Sequence, residues 1–502
     1  MHLHRQALKG ASLLSASEFV NQGCSFLRNV ILARTLTKAD FGVAALLAMV
    51  LTLLEMTSKL ALGQQVVQSR HGDNPAFVDS VQFTQLAAGV LSAALILILA
   101  WPVSHFFSGP RYLPAIMALA LIPLVNGCGN LDLFRRARQL GFERLIVADT
   151  VPQLATTLAA WPVVHLLPDY RAVVCLMLGK AVLSSALTHC LADRRFHPRF
   201  EREWFRESMR FGAPLLLSGF IQFGNFQGDS MVVAARYPLT QLGEFSVAMT
   251  MAMTPAFAFM RVSQSLSLPV LAEVQGDPSR LAVRYRRYVE STALLSCCAT
   301  LAMIFAGEYV VERCFGAKYA GVGTLASWLI AGQALRMIRG ATVSAAMARG
   351  DTMNMMVCSA WRLCGLPLAI GVGWLHGSLT WFAVTGFAAE VVALTASVAR
   401  LASRQHLAPG FTVAPALLGL GCVLGAVAGK WALPVPAASP ANALLLAPAI
   451  LLSIGAFALC FPGLRSTATG FAARMRATSD VRSERSARPP AAVPLGGTKG
   501  TP

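Results

Sequence analysis

Amide and charged side chains recur at helical spacing inside stretches of the sequence that are otherwise long and apolar. The first of these stretches, SEFVNQGCSFLRNVILAR at residues 17–34, carries Glu18, Asn21, Gln22, Ser25 and Arg28. Intervals of three and four residues place all five on one face of a helix. Because hydrocarbon does not solvate such groups, the pattern predicts a helix whose polar face meets protein, water or a polar ligand.

A second stretch repeats this arrangement. In LLLSGFIQFGNFQGDSMVV, residues 215–233, the polar side chains follow the same helical spacing at Ser218, Gln222, Asn225 and Asp229. A shift of 201 residues places Asn21 on Gln222 and Arg28 on Asp229. One stripe therefore ends in a cation and the other in an anion. We expect Arg28 and Asp229 to act either as a structural clamp or within a working site.

Further charged residues interrupt other apolar stretches: Glu55, Lys59, Lys180, Arg261, Arg336, Arg339, Arg362 and Glu390. Each costs about 2.5–3.5 kcal/mol near the centre of a membrane helix, so none is expected to face lipid. Glu55 and Lys59 are four residues apart and are expected to neutralise each other. Once this pair and a pairing of Arg28 with Asp229 are set aside, the interior keeps a surplus of cations. The acidic residues Glu18 and Glu390 are outnumbered by five basic ones: Lys180, Arg261, Arg336, Arg339 and Arg362.

Four of the five surplus cations are arginines, whose planar guanidinium groups bind phosphate oxygens through two parallel hydrogen bonds. The sequence thus predicts a pathway for a phosphate-bearing or carboxylate-bearing molecule. We assign to its cavity Arg28, Lys180, Arg261, Arg336, Arg339, Arg362, Asn21, Gln22, Gln222 and Asn225. We assign to ion coupling or charge pairing Glu18, Asp229, Glu390, Glu55 and Lys59. The alternative is that Arg261, Arg336 and Arg362 lie near helix ends and extend to the membrane surface.

The composition indicates what positions these residues. Of the 502 residues 55% are hydrophobic and only 13% are charged, a balance typical of an integral membrane protein. A membrane helix needs about 20 mostly apolar residues, and about fourteen runs qualify. They lie near 11–33, 41–62, 81–104, 112–131, 147–167, 171–192, 211–235, 243–265, 289–311, 322–346, 354–375, 378–399, 413–431 and 441–461. The predicted fold class is all-α.

Catalytic and metal-binding patterns are missing from the sequence. It has no GxSxG, HExxH or Walker loop, and its 11 cysteines are scattered. The connections are at most about 20 residues long, which leaves no room for a catalytic domain between spans. We predict neither enzyme activity nor a cofactor or metal, and we expect coupling to protons, sodium or the membrane potential.

The formal charge of +18 is concentrated in a few connections, LDLFRRARQLGFER, DRRFHPRFEREWFRESMRFG and GDPSRLAVRYRRY. With the N-terminus in the cytoplasm, all three lie on the inner side, as the positive-inside rule requires. These loops therefore indicate the membrane topology, and we expect them to contact lipid headgroups. No nucleic-acid partner is predicted. Both termini are expected in the cytoplasm.

The sequence also contains a weak internal repeat. The 201-residue shift aligns Ser17 with Ser218, Phe19 with Phe220, Gly23 with Gly224, Ala33 with Ala234 and Gly42 with Gly243. Six spans separate the copies, so the halves have the same orientation. We predict two six-helix lobes around a central cavity at 1–200 and 201–405, two additional helices at 406–465, and a basic, disordered tail at 466–502.

Three segments resemble bacterial polysaccharide exporters of the Wzx type. NVILARTLTKADFGVAALLAMVLTLLEMTSKLALGQQVVQ is similar to the first two spans of that family, and GNLDLFRRARQLGFERL to the basic loop after its fourth. FGAPLLLSGFIQFGNFQGDSMVVAARYPLTQLGEFSVA resembles the opening of its second half, with Asp229 at the usual acidic position. The chain departs from the family at Pro238 and Leu239, where a glycine is common.

The resemblance implies a flippase in the superfamily that also holds multidrug extruders and the lipid II flippase. Its substrate would be a polyprenyl-pyrophosphate-linked oligosaccharide, moved across the bacterial inner membrane for O-antigen, capsule or exopolysaccharide. The implied partners are this lipid-linked oligosaccharide, membrane lipids and other polysaccharide assembly proteins. Two alternatives stay open: a multidrug or metabolite exporter of the same fold, and a membrane polymerase or ligase, which is expected to carry a large outer loop.

Overall fold

The computed structural model describes residues 2–58, 62–139, 141–274, 276–432, 444–461 and 464. Within these ranges the secondary structure is helical, as predicted. The α-helices are α1 His2–Thr35, α2 Lys38–Ser58, α3 Leu62–Gln68, α4 Pro75–Val103, α5 Leu113–Ala118, α6 Leu121–Gly127, α7 Asp132–Arg138, α8 Glu143–Leu166, α9 Arg171–Cys190, α10 Arg202–Arg236, α11 Leu239–Ala272, α12 Pro278–Phe315, α13 Val322–Ala348, α14 Met353–Leu363, α15 Gly365–His376, α16 Leu379–Gln405, α17 Gly410–Ala432 and α18 Leu446–Cys460.

Helix covers most of every predicted apolar run, but two of the runs are broken in the middle. The run 112–131 divides into α5 and α6, and the run 354–375 divides into α14 and α15. Pro123 and Pro367 explain the two breaks. Each lacks an N–H and crowds the carbonyl four residues earlier, at Leu119 and Leu363, where the helices are interrupted.

Fewer helices pass a test of length and apolarity than the sequence predicts. Six helical segments of the described chain could cross a membrane on that test, and a seventh does if α5, α6 and α7 form one span bent by 52°. Helices such as α1 and α13 carry polar residues that their neighbours cover, so a count of apolar residues understates them. Fourteen crossings remain a prediction.

Helices α2 and α11 meet backbone to backbone near their N-termini. A Cβ atom added to Gly42 would lie 1.9 Å from the carbonyl oxygen of Leu239, and one added to Gly243 would lie 2.3 Å from that of Lys38. Both pairs are related by the 201-residue shift, since 42 corresponds to 243 and 38 to 239. This reciprocal contact is what a two-fold pseudo-repeat requires, and it explains why glycine stands at both positions.

Further contacts tie the same end of the molecule together. The Lys38 ammonium lies 2.5 Å from the Glu244 carboxylate, and Arg34 donates to the carbonyl of Arg313 at 3.3 Å. A buried apolar cluster continues beneath them, including Leu36, Phe41, Val233, Phe245 and Phe315. We call this region the glycine end. It joins the N-terminal helices α1–α9 to the C-terminal helices α10–α16.

We expect Gly42→Ala to lower the thermal midpoint of the detergent-solubilised protein by about 2 °C or more, because the added methyl forces α2 away from α11. Gly23→Ala is the matched control, since a Cβ at Gly23 meets nothing within 4 Å and alanine favours helix by about 1 kcal/mol. Equal midpoints for the two variants would show that the close approach contributes nothing to stability.

The opposite end carries the basic loops, and we call it the basic end. Here Trp204 of α10 packs edge-on against Phe77 of α4, with ring centroids 5.3 Å apart, and lies 4.9 Å from the ring of His71. The loop arginines also form ion pairs. Arg136 and Arg144 both donate to Asp193, and the hydrogen bond from Arg136 holds the pKa of this carboxyl below its ordinary value. The basic loops therefore have a structural role in addition to the topogenic role that the sequence predicts.

The last two helices pack outside the C-terminal helices. Helices α17 and α18 both lie against α12 and against each other. Phe457 of α18 is fully buried in a cluster that also contains Tyr285 and Cys297 of α12. The predicted pair of additional helices is thus attached to the second half of the chain rather than placed between the halves.

Candidate functional site

Four of the C-terminal helices bring five charged side chains into one buried cluster. The acceptor at its centre is Glu390 of α16, which is 2% exposed. Arg336 and Arg339 of α13 and Arg362 of α14 all donate to this carboxylate. Arg362 also donates to Asp229 of α10. We call these five residues the arginine cluster.

The two arginines of α13 reach Glu390 from successive turns of the helix. Arg336 donates to Oε1 through Nε at 2.9 Å and through Nη2 at 2.6 Å, and its guanidinium lies 5.4 Å from the centre of the Phe226 ring. Arg339 donates to Oε2 at 3.2 Å and to the sulfur of Cys358 at 3.1 Å. Three residues along a helix advance almost one turn, which is why both side chains share one face.

Arg362 links the two carboxylates of the cluster. Its Nε donates to Glu390 at 2.9 Å and its Nη2 donates to Asp229 Oδ2 at 2.6 Å. Glycines let the helices approach closely enough for this. A Cβ at Gly228 would lie 2.7 Å from Leu366, and one at Gly365 would lie 2.3 Å from the Cβ of Ala389. Small residues beside the charges therefore bring α15 close to α10 and α16.

The arginine cluster carries a net charge of +1, because three guanidinium groups share two carboxylates. Several of its polar atoms are buried and have no hydrogen-bond partner among the described residues: Arg336 Nη1, Arg339 Nε, Asp229 Oδ1 and, beside them, Asn225 Oδ1. Buried polar atoms are normally paired with protein or water. The surplus charge and the free N–H groups suit an anionic oxygen such as that of a phosphate.

The polar stripe of α1 packs against α8 within the N-terminal helices. Asn21 donates to Asp149 at 2.8 Å, and Arg28 donates to the hydroxyl of Thr156 at 3.3 Å. The amide of Gln22 donates to Glu18 at 3.2 Å on α1 itself. The outer face of α1 is exposed at Phe19, Val20 and Leu27, as expected for a lipid-facing surface. The helical face was thus predicted correctly, but much of its polar contact is with protein.

The structure does not show the clamp between Arg28 and Asp229, which was one of the two alternatives for these residues. Asp229 binds Arg362, and Arg28 binds Thr156, so the two residues do not form an ion pair in this conformation. Asp229 points toward the other C-terminal helices, whereas Arg28 points toward α8. Helical spacing predicted the face of each helix, but it did not identify the neighbouring helix.

The remaining predicted residues are more scattered. Lys180 is half-buried on α9, Gln222 is half-buried on α10, and Asn225 is buried, with its backbone carbonyl accepting from Arg336. Lys59 lies outside the described residues, as do the side chains of Glu55 and Arg261. The predicted Glu55–Lys59 pair and the contribution of α11 to the site therefore remain predictions.

Polar residues on α8 were missed by the sequence analysis. Asp149, Gln153 and Thr156 contact Asn21, Ser25 and Arg28 respectively, and each pair is separated by 128 residues. The intervals of four and three residues along α8 match those along α1, so matching polar spacing in two apolar runs was the available signal. Cys358, which binds Arg339, had no such signal. The described residues contain no group of His, Cys, Asp and Glu suited to a metal ion.

Comparison with known proteins gives a consistent family assignment. Residues 31–323, more than half of the chain, match the family model described as "Polysaccharide biosynthesis protein". The amylovoran biosynthesis protein AmsL of Erwinia amylovora is 25% identical over 312 residues, which cover 61% of this chain and 80% of AmsL. The succinoglycan biosynthesis transport protein ExoT of Rhizobium meliloti is 24% identical over 304 residues, 59% of this chain and 60% of ExoT.

Solved structures identify the fold. The lipid II flippase MurJ in an inward closed conformation superposes with a TM-score of 0.62 at 13% identity, covering 89% of this chain and 98% of MurJ. An inward-facing multidrug resistance transporter of the MATE family superposes with a TM-score of 0.59 at 13% identity, covering 81% of this chain and 95% of the transporter. The comparisons confirm a multi-pass membrane protein with the fold that these two transporters share.

Proposed function

The chain belongs to the polysaccharide biosynthesis protein family, and from that premise we propose that it is a flippase for a lipid-linked oligosaccharide. The substrate is a polyprenyl-pyrophosphate-linked repeat unit, moved from the inner to the outer leaflet of the bacterial inner membrane. The product supplies O-antigen, capsule or exopolysaccharide assembly. The similarity to proteins of amylovoran and succinoglycan biosynthesis supports a role in polysaccharide assembly.

The observation that carries the proposal is the net positive arginine cluster inside the C-terminal helices. A pyrophosphate in a low-dielectric interior needs fixed donors, because ordinary solvation by water is lost there. Arg336 Nη1 and Arg339 Nε, which carry two and one N–H donors respectively, have no partner among the described residues. In the proposed mechanism these groups bind the pyrophosphate, and Arg28, Lys180, Arg261, Asn21, Gln22 and Gln222 line the path of the glycan.

Alternating access between the two sets of helices is the transport mechanism that we propose. The glycine end joins α2 to α11 by direct backbone packing and the Lys38–Glu244 pair. At the basic end a cavity of about 380 Å³ lies between α3 and α10. We propose that two lobes, 1–200 and 201–405, rock about the central site, so that the site opens in turn toward the basic end and toward the glycine end. Helices α17 and α18, which pack on α12, are peripheral in this mechanism.

The proposed orientation places the basic end and both termini in the cytoplasm, by the positive-inside rule. The closed glycine end then faces the periplasm. Protons, sodium or the membrane potential supply the driving force. Asp229 is our candidate for a coupling residue, because its Oδ1 atom is buried and has no partner among the described groups, while Oδ2 binds Arg362. Glu390 pairs with the three arginines of the cluster. Glu18 lies on the polar face of α1 and accepts a hydrogen bond from Gln22.

A multidrug exporter of the same fold is the second candidate, and the superposition on a MATE transporter favours it. Cationic drugs require a surplus of acidic groups, whereas the arginine cluster has a surplus of one cation. A polymerase or ligase has less support, because the described connections between helices contain no large outer domain.

Deletion of the coding gene in its native host tests the proposal. We expect surface polysaccharide to be lost, with lipid-linked repeat units accumulating on the cytoplasmic leaflet, because synthesis continues while transport stops. A plasmid copy of the chain should restore export. Normal surface polysaccharide in the deletion strain would refute the proposed function. As a control, the drug sensitivity of the complemented strain should equal that of the deletion strain.

A further inference from the structure

The cavity at the basic end has a lining that differs in chemistry from the arginine cluster. It is about 380 Å³ in volume and lies between the short helix α3 and the first turns of α10. The residues that line it are Gln65, Gln68, Ser69, Glu207, Arg210 and Phe211. Its volume is in the range of small-molecule sites. We call it the α3–α10 pocket.

Gln65 is the most unusual residue of the pocket. Its side chain is on the buried side of α3, and the residue is only 2% exposed. Both polar atoms of its amide are without a hydrogen-bond partner among the described residues. A buried amide that is left unpaired destabilises a protein, and leucine would fill similar space without that cost. Because Gln65 also lines the pocket, its amide is a candidate partner for a ligand there.

The donors and acceptors of the pocket suit a hydroxylated, uncharged ligand. An amide offers two donors and one acceptor carbonyl, and a hydroxyl such as that of Ser69 both donates and accepts. Vicinal hydroxyls of a sugar match this set. Glu207 and Arg210 carry opposite charges, so the pocket has no surplus charge to attract a phosphate. The Phe211 ring supplies an apolar surface for the C–H face of a pyranose.

The position of the pocket relates it to the arginine cluster. Phe211 and Asn225 both belong to α10, and the fourteen residues that separate them span roughly 21 Å of helix. A short oligosaccharide is long enough to bridge this distance. With a pyrophosphate at the arginine cluster, the sugars of the same molecule extend along α10 toward the basic end.

We propose that the α3–α10 pocket is a sugar-binding subsite that holds a distal glycosyl residue of the substrate as it enters from the basic end. This inference rests on the proposed function, which identifies the molecule that carries the sugar as a lipid-linked oligosaccharide. Gln65 supplies the fixed hydrogen bonds, Gln68 and Ser69 supply adaptable ones, and Phe211 supplies the apolar wall.

Binding of free glycosides to the full-length protein tests the subsite. Saturation-transfer NMR would use phospholipid nanodiscs without glycoside detergent, with methyl glucoside, methyl galactoside and methyl N-acetylglucosaminide at millimolar concentration. We expect transfer to at least one glycoside, reduced at least fivefold by Gln65→Leu. Gln64→Leu is the matched control, since Gln64 is the neighbouring, exposed glutamine of α3 and does not line the pocket.

A second pair of variants avoids any change in the buried part of α3. Gln68→Ala changes an exposed residue that lines the pocket, and Gln64→Ala changes an exposed residue that does not. We expect only Gln68→Ala to weaken glycoside binding, by about threefold or more. The thermal midpoint of Gln65→Leu should equal or exceed that of Gln64→Leu, and a clear loss of stability would show that the amide has a structural role instead.

Other outcomes overturn the inference without touching the proposed function. These are an absence of transfer to all three glycosides, equal transfer in the Gln65→Leu and Gln64→Leu proteins, or displacement of the glycoside by inorganic phosphate alone, which would identify an anion site. Conversely, polysaccharide export that persists in the deletion strain refutes the flippase proposal, while glycoside binding to the purified protein can still be measured.

Discussion

Glu390→Gln should remove most of the folded protein from the membrane or lower its thermal midpoint sharply. The carboxylate accepts hydrogen bonds from Arg336, Arg339 and Arg362, all of them buried. The substitution raises the net charge of the cluster from +1 to +2 and leaves Asp229 as its remaining anion. Removing one partner of a buried ion pair costs about 3–5 kcal/mol, a large part of a typical stability of 5–15 kcal/mol.

The measurement is the thermal midpoint and the yield of monodisperse protein after extraction. Glu203→Gln provides the control, because Glu203 is exposed at the start of α10. Adding Arg339→Gln to Glu390→Gln returns the net charge to +1 and should recover part of the loss, since the two residues interact directly. A Glu390→Gln protein as stable as the control would show that the arginines do not depend on this carboxylate.

Arg336→Ala combined with Arg339→Ala should abolish export while a Lys pair retains part of it. The alanine variant changes the cluster charge from +1 to −1 and removes the donors proposed for the pyrophosphate. A hydrogen bond to a charged group contributes about 1.5–3 kcal/mol, so losing two lowers transport by about 100-fold or more. Lysine keeps the charge but lacks the planar fork of donors, and we expect an intermediate rate.

Surface polysaccharide per unit of membrane protein is the quantity to measure, in the native host. Arg287→Ala is a suitable control, because Arg287 is an exposed arginine on α12. Normalising to the amount of folded protein separates transport from the stability effect expected at Glu390. Export by the double alanine variant at the rate of the Arg287→Ala control would remove the arginine cluster from the substrate path.

The sequence was informative about helix faces and less so about which helices meet. The spacing of Asn21, Gln22 and Arg28 predicted one polar face on α1, and the exposed Phe19 and Leu27 on the other side agree with it. The partner of that face is α8, and the partner of Asp229 is Arg362. Spacing along a helix fixes the direction of a side chain, whereas its partner depends on how separate helices pack.

The internal repeat shows the same division. A few identities at a 201-residue shift included Gly42 and Gly243, and these two positions form the reciprocal contact between α2 and α11. Glycine at both positions was visible in the sequence, but which helices they joined was not. The breaks before Pro123 and Pro367 follow from the chemistry of proline, but α8 is continuous through Pro152 and Pro162, so the sequence did not show which prolines interrupt a helix.

The buried glutamine of α3 illustrates what only the structure reveals. Gln65 stands in LGQQVVQ beside the similar Gln64, and nothing in the sequence distinguishes the two. One is buried against the α3–α10 pocket and the other is exposed. The difference arises because α3 packs against α7 and α10. Phe134 of α7 and Trp204 of α10 belong to the apolar cluster that covers the buried side of α3.

Transport by the purified chain tests the central claim most directly. Vesicles containing the protein and lipid-linked oligosaccharide from the host would be treated with a membrane-impermeant glycosidase, and the fraction of cleaved glycan followed over time. We predict that glycan sealed in the inner leaflet becomes accessible with the wild-type protein, and stays protected with the Arg336→Ala/Arg339→Ala protein at equal incorporation. Protection equal to that of protein-free vesicles, in wild-type vesicles that carry a membrane potential and a proton or sodium gradient, would contradict the account.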